Sequence, residues 1–372
     1  MDFGFTKDQD LLRQSVSDFL AGECSMAFVR QMMGEDLGYS PSLWQKMADL
    51  GWTGLMVPEQ YQGAGLSMME LVVVLEEMGK VMLPGPFFST VVLGGLAIEQ
   101  LGNEEQKKTI LPGVAEGRIK LTLAFLEASA RWDESGVVMS ARRDGGKYIL
   151  NGLKLFVPDA HVADFIVCAA RTDRGIAMFL IDSNTAGIQV RPLQTMDATR
   201  KLFELKFEAV EVERAALLGE PGDSDSVARI LEKSKVALSG EMCGGARRVL
   251  DMTVDYAKMR EQFGRPIGSF QAIQHKCADM LIQVENAKSA TYFAAWASAN
   301  DSSQASLAAA MAKAYCSDTY REVTSDGVQV HGGIGFTWEH DLHIYFKRAK
   351  ASEVAFGDGR WNRELVAGQT LD

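Results

Sequence analysis

Two stretches of this 372-residue chain combine residue types suited to holding a large, phosphate-bearing ligand. One is DYAKMREQFGRPIGSFQAIQHKCADM at 255–280; the other is SDGVQVHGGIGFTWEHDLHIYFKRAKA at 325–351. Arg260 carries five donors in a rigid fork that matches a pyrophosphate. Phe263 supplies a ring to pack on a ligand, and Gln271 and Gln329 supply amide hydrogen bonds. Gly332 and Gly333 permit close backbone approach. Each residue alone has a bland alternative: a surface arginine, a core phenylalanine, a turn. Taken alone, each is read more simply that way. HGGIGF is not a dinucleotide fingerprint, because no strand precedes it and no βαβ unit surrounds it. His340 and His343 lack a clear third ligand, so an interface or helix start is expected there, not a metal site.

These residues must be positioned by elements, and the patterns change twice along the chain. Residues 1–118 are helical: Thr6 is placed to cap DQDLLRQSVSDFLAGE, LVVVLEEMGKV at 71–81 is apolar, and 103–117 forms a short helix expected to stop before Pro112. From 119 to 223, short β-branched and aromatic runs are separated by turn signals, Asp144-Gly145-Gly146 and Asn151-Gly152 among them. That predicts an antiparallel β-barrel or sandwich. From 224 the helical pattern returns, and the last proline is Pro266, which suits a C-terminal four-helix bundle. NDSSQ at 300–304 is expected to be a loop.

Composition narrows the function. With 38 Lys+Arg against 49 Asp+Glu the net charge is -11, so nucleic acid is a poor partner and any polyanion needs a local basic pocket. The five cysteines lack CxxC spacing, which points to a reducing cytoplasm. The opening MDFGFTKDQDLL has no signal-peptide pattern, and no apolar run reaches the length of a membrane span.

The two glycine- and arginine-bearing stretches, the α–β–α order, the length and the opening FTKDQDLLRQSVSDF strongly resemble the acyl-CoA dehydrogenase family over essentially the whole chain. The chain resembles in particular divergent bacterial members acting on steroid or dicarboxylic acyl-CoA esters. The resemblance implies FAD held non-covalently and removal of hydrogens from Cα and Cβ of an acyl-CoA thioester. It implies electrons passed to an electron-transfer flavoprotein, and a homo- or heterotetramer built as a dimer of dimers. Arg260, Phe263, Gln271, Gln329, Gly332 and Gly333 would then reach the ADP half of a FAD held mainly by a neighbouring subunit.

The flavin-facing segments depart from the family pattern. T-E-P-x-A-G-S-D is replaced by Leu126-Glu127-Ala128-Ser129-Ala130-Arg131-Trp132-Asp133, so a hydroxyl becomes Leu126 and a serine becomes Trp132. Trp-Ile-Thr becomes Phe156-Val157-Pro158, keeping an aromatic and losing a hydroxyl. The usual base segment Glu-Gly-Thr aligns with Phe356-Gly357-Asp358, and the alternative base position aligns with Ser234. Two carboxylates remain as candidates. Glu241 would have Ala237, Leu238, Gly244 and Gly245 as helical neighbours, an apolar face that raises basicity; its structural alternative is a pair with Arg248 or across an interface. Asp358 follows Gly357. A third possibility is that this chain carries no base and is the supporting subunit of a heteromeric enzyme, donating ADP-side contacts.

Overall fold

The computed structural model describes residues 5–300 and 303–371. The expectations for the chain's first residues and for the centre of the 300–304 loop fall partly on residues 1–4 and 301–302, outside the described residues.

The N-terminal region supplies α1 (Lys7–Glu23), α2 (Met26–Gly34), α3 (Pro41–Asp49), α4 (Met68–Lys80), α5 (Leu96–Leu101) and α6 (Glu104–Ala115), with a π-helical stretch at Phe88–Gly95. Thr6 does cap α1: its Oγ1 accepts from the Gln9 amide at 3.2 Å and its own N–H donates back to Gln9 Oε1 at 3.1 Å. The helix at 103–117 does not stop at Pro112, because α6 continues through it to Ala115. Proline leaves the Lys108 carbonyl without its helical donor, and Lys108 is exposed, so water can replace it. Ile110, Leu111 and Val114 are buried and hold the helix together across the break.

The middle region forms one eight-stranded sheet from β1 (Leu121–Ala124), β2 (Ser140–Asp144), β3 (Lys147–Pro158), β4 (Phe165–Thr172), β5 (Gly175–Asp182), β6 (Ile188–Leu193), β7 (Leu202–Glu213) and β8 (Leu217–Leu218). The order β6-β7-β3-β2-β4-β5-β8, with β1 on β4, leaves β6 and β8 as separate edges. The sheet is therefore neither a closed barrel nor purely antiparallel, since β1 and β2 both run parallel to β4. Asp144-Gly145-Gly146 makes the β2–β3 turn as expected. Asn151-Gly152 does not turn the chain. It lies inside β3 opposite a bulge in β7, where Leu150 pairs with Val210 but Gly152 with Phe207, and Asn151 Oδ1 accepts the Ala209 amide at 2.7 Å. A side chain at Gly152 would press on Met139 Cγ at 2.6 Å, so this position of β3 needs glycine.

The C-terminal region has α7 (Ser224–Met259), a hairpin of β9 (Glu261–Gln262) and β10 (Arg265–Pro266), then α8 (Gln271–Ala299), α9 (Ala305–His331), α10 (Leu342–Val354) and α11 (Gly359–Leu371). Five helices are thus described where a four-helix bundle was expected, because the chain breaks at Ala355–Asp358 and restarts as α11. Among the described residues, no helix is long and apolar enough to cross a membrane.

By compactness the chain forms two units that cut across these regions. One comprises Met32–Ser67 and Pro84–Ser234, with a sheet core that includes Leu150, Phe179, Leu205 and Phe207. The other comprises Met1–Gln31, Met68–Leu83 and Lys235–Asp372. Within the second, α4 and α7 pack backbone to backbone. A Cβ at Gly244 would overlap the Glu76 carbonyl, and one at Gly79 would overlap the Glu241 carbonyl. Both contacts are with main chain, which cannot swing aside. Gly244→Ala is therefore expected to destabilise the fold by about 3 kcal/mol, at the upper end of overpacking costs, readable as a lowered midpoint in urea unfolding.

Candidate functional site

The phosphate-facing candidates come together in the helical unit. Tyr256 near the end of α7 stacks on His331 at the end of α9, ring centroids 4.3 Å apart. Ala257, Ile267 and Val330 close a small core beneath, with Tyr256, Phe270 and Ile273 packed on it. This core brings the 260–271 segment to the 329–333 segment. Burial, reinforced by His340, holds the His331 imidazole below its usual pKa and hence neutral at pH 7, while its Nδ1 lies 2.7 Å from the Gly327 carbonyl.

Above this core the candidate groups face outward. Arg260 is anchored by its main chain, its N–H donating to Tyr256 and its carbonyl accepting from Ile267. Its exposed guanidinium enters no ion pair among the described residues. Phe263 and Gly264 both have positive φ, +54° and +77°, as a two-residue hairpin turn demands. Phe263 pays a steric cost there, and 91% of it is exposed. Gln271 opens α8, whose preceding residue Phe270 gives no side-chain cap, so its first amides are open to an outside acceptor. Gln329 is exposed on α9, Gly332 ends that helix at φ +64°, and a Cβ on Gly332 or Gly333 would meet nothing within 4 Å. An unpaired arginine, an exposed ring, open amides and clear space beside glycine backbone fit the phosphates and ribose of a bound dinucleotide.

The flavin-facing candidates lie in the sheet unit and are largely apolar. Leu126 is buried, and its carbonyl accepts the Leu155 amide at 2.8 Å. Phe125 and Trp132 stack in parallel, centroids 6.0 Å apart. Phe156 stands at the bulge of β3 with φ +54°, 49% exposed. These surfaces suit the face of a flat heteroaromatic ring. Two residues that sequence reasoning missed hold the segment in place. Fully buried Lys154 donates to Glu127 Oε1 at 2.6 Å and to the Phe125 carbonyl at 3.1 Å. Glu127 also accepts the amides of Val138 and Met139 at 3.1 Å. Strand alternation could have found Lys154, which shares an inward face with Leu150.

The two base candidates differ in setting: Glu241 is buried in an ion pair and Asp358 is exposed. Glu241 lies buried on α7 and takes the Arg348 Nη1 at 2.6 Å, so its partner is Arg348 and not Arg248. This geometry makes it half of a buried ion pair. Asp358 is exposed, and its Oδ1 accepts the Trp361 amide at 2.7 Å, capping α11. Ser234 is buried, donating to the Ile230 carbonyl at 2.8 Å. His340 and His343 form no pair: the His340 ring packs on His331 and the His343 ring on Trp338.

Comparison with known proteins settles the kind of protein this is. Residues 6–118, 122–210 and 225–371 match the N-terminal, middle and C-terminal domain profiles of acyl-CoA dehydrogenase. The chain belongs to the acyl-CoA dehydrogenase family. It is thus an FAD-dependent oxidoreductase acting on CH–CH bonds. It is 32% identical to the acyl-CoA dehydrogenase IpdE2 of Mycolicibacterium smegmatis, over 95% of this chain and 96% of that protein. Among solved structures it resembles a chain in that of the electron transferring flavoprotein of Acidaminococcus fermentans, with TM-score 0.93, 32% identity and full coverage of both chains. It also resembles a chain of the ChsE4-ChsE5 complex from Mycobacterium tuberculosis, with TM-score 0.92, 29% identity, and coverage of 100% of this chain and 99% of that one.

If Glu241 is structural, its removal strands a buried guanidinium. Glu241→Gln should cost about 3 kcal/mol of stability, the range for breaking a buried pair from one side. Chemical denaturation checks this, and a stable but inactive variant would restore Glu241 as the base.

Proposed function

We propose that this acyl-CoA dehydrogenase removes hydrogens from Cα and Cβ of an acyl-CoA thioester within an oligomer, electrons passing to an electron-transfer flavoprotein. The observation that carries the reading is the set of outward-facing groups around Arg260: a guanidinium with no ion pair among the described residues, beside glycine backbone with room for a ligand. Arg260 would neutralise the pyrophosphate of FAD, Gln271 and Gln329 would bond the ADP half, and Phe263 would pack on it. Because these groups project away from their own unit's core, a neighbouring subunit's cofactor is their natural target. Leu126 and Phe156 would face the ring. Bound FAD supplies the acceptor for the two electrons removed from the substrate.

The α-proton needs a base, and Asp358 is the carboxylate we assign. Its carboxylate is exposed and carries one capping bond, which leaves lone pairs for a proton. The likeness to chains in an electron-transferring-flavoprotein structure and in the ChsE4-ChsE5 complex supports the electron acceptor and the oligomer.

The chain purified alone should carry FAD, and its flavin absorbance should bleach with a matching acyl-CoA. Little flavin and no bleaching would instead favour the supporting-subunit arrangement. Arg260→Ala should weaken FAD retention roughly tenfold to a hundredfold, the worth of a charged hydrogen bond, in a flavin-release titration. Asp358→Asn should lower kcat about a hundredfold or more if it is the base, with flavin content retained.

A further inference from the structure

Lys313 lies in the first third of α9 and is fully buried. Its Nζ donates to Ser317 Oγ at 2.8 Å and to the main-chain carbonyls of Glu353 and Gly357, each at 3.0 Å. An ammonium has three donors and no acceptor, so donors and acceptors match one for one. Two of the acceptors belong to the end of α10 and to the Ala355–Asp358 connection that follows it. That connection turns through two successive left-handed residues, Phe356 at φ +57° and Gly357 at φ +87°. Asn362 on α11 grips the same turn, donating to the Gly357 and Asp358 carbonyls at 2.9 Å and 3.0 Å. A Cβ on Gly357 would overlap the Trp361 ring, so the turn is also closely packed.

We propose that Lys313 is a positioning residue for the reaction: its ammonium staples the Glu353–Gly357 segment to α9 and so fixes where Asp358 presents its carboxylate. The proposal rests on the assignment of Asp358 as base given above. A buried cation is a costly way to join two helices where leucine would serve. What the lysine adds is direction. Hydrogen bonds to two carbonyls four residues apart set the path of the turn, which apolar packing would leave free to slide. The groups facing the ammonium are Cys316 on its own helix, Lys235 on α7, Glu353 on α10 and Asp358 in the connection. Burial is the main influence and lowers the lysine from its usual 10.5 to about 7, with Lys235 adding to it and Cys316, Glu353 and Asp358 opposing. Loss of the proton leaves only two donors for three acceptors.

The sign for stability follows from the lowered value. Between pH 10.5 and about 7 the unfolded chain binds the proton and the folded chain does not, so stability falls as pH drops through that window and levels off below it.

The test compares FAD-loaded wild type with Lys313→Met. Trp361, isolated as the difference from Trp361→Phe, reports the turn by fluorescence. We expect three results for Lys313→Met. The Trp361 emission shifts and loses the titration near pH 7 that wild type shows. The stability no longer falls between pH 10 and pH 7. The kcat drops about a hundredfold with KM for acyl-CoA unchanged, as a misplaced catalytic group requires. An unmoved Trp361 signal overturns the proposal whatever the activity does, and so does a moved signal with wild-type kcat. Asp358→Asn run in parallel separates the two assignments: full activity in that variant removes Asp358 as base, while the Trp361 and kcat results still decide whether Lys313 positions the turn. Should Lys313→Met fail to fold, Ser317→Ala, which removes one acceptor, should give the same changes at smaller size.

Discussion

The contact of α4 with α7 through glycine is the constraint on which the helical unit depends. With no Cβ at Gly79 and Gly244, the two backbones approach until main-chain carbonyls fill the space a side chain would take. Helices this close leave little room for water, so charges along them must find partners in the protein. Glu76 shows the consequence. Burial alone would raise its pKa, but Lys288 at 3.0 Å, the Tyr292 hydroxyl at 2.5 Å and Arg13 at 3.4 Å together hold it below the usual carboxylate value. Glu241, three residues before Gly244, meets the same demand through Arg348. A glycine contact thus decides which carboxylates of this unit are buried and must be paired.

That explains why the most attractive base in the sequence is not free. Small neighbours around Glu241 did announce a desolvated carboxylate, and the burial is there. What the sequence leaves unseen is the partner, Arg348, which lies 107 residues along the chain. No local pattern reveals it. The aligned segment at Phe356-Gly357-Asp358 carried more information than its residues suggested, because the fold gives it three separate grips, from Lys313, from Asn362 and from the cap on Trp361.

Periodicity and capping chemistry made much of the architecture legible. The Thr6 box, the apolar α4 and the β-rich middle follow from local rules, and the outward-facing set around Arg260 follows from residue type and order. The failures have physical causes. Pro112 sits inside α6 because a lost hydrogen bond on an exposed carbonyl is cheap. Asn151-Gly152 does not turn because β7 continues to pair beyond it, taking up the register shift with an extra residue of its own. The arginines of β2 give no apolar alternation to read, since only Ala141 of that strand is buried. Lys154 and Lys313 were passed over because lysine is taken for a surface residue, although both sit where the pattern calls for apolar side chains.

The hairpin that displays Phe263 has a consequence for handling the protein. A nearly fully exposed phenylalanine on a left-handed turn is unfavourable twice over, in backbone strain and in wetted apolar surface. Such a feature persists where something covers it. If the cover is a neighbour's cofactor, then retaining flavin and staying assembled become one equilibrium. Flavin content would depend on how concentrated the protein is, and dilution alone would strip the cofactor from an otherwise folded chain.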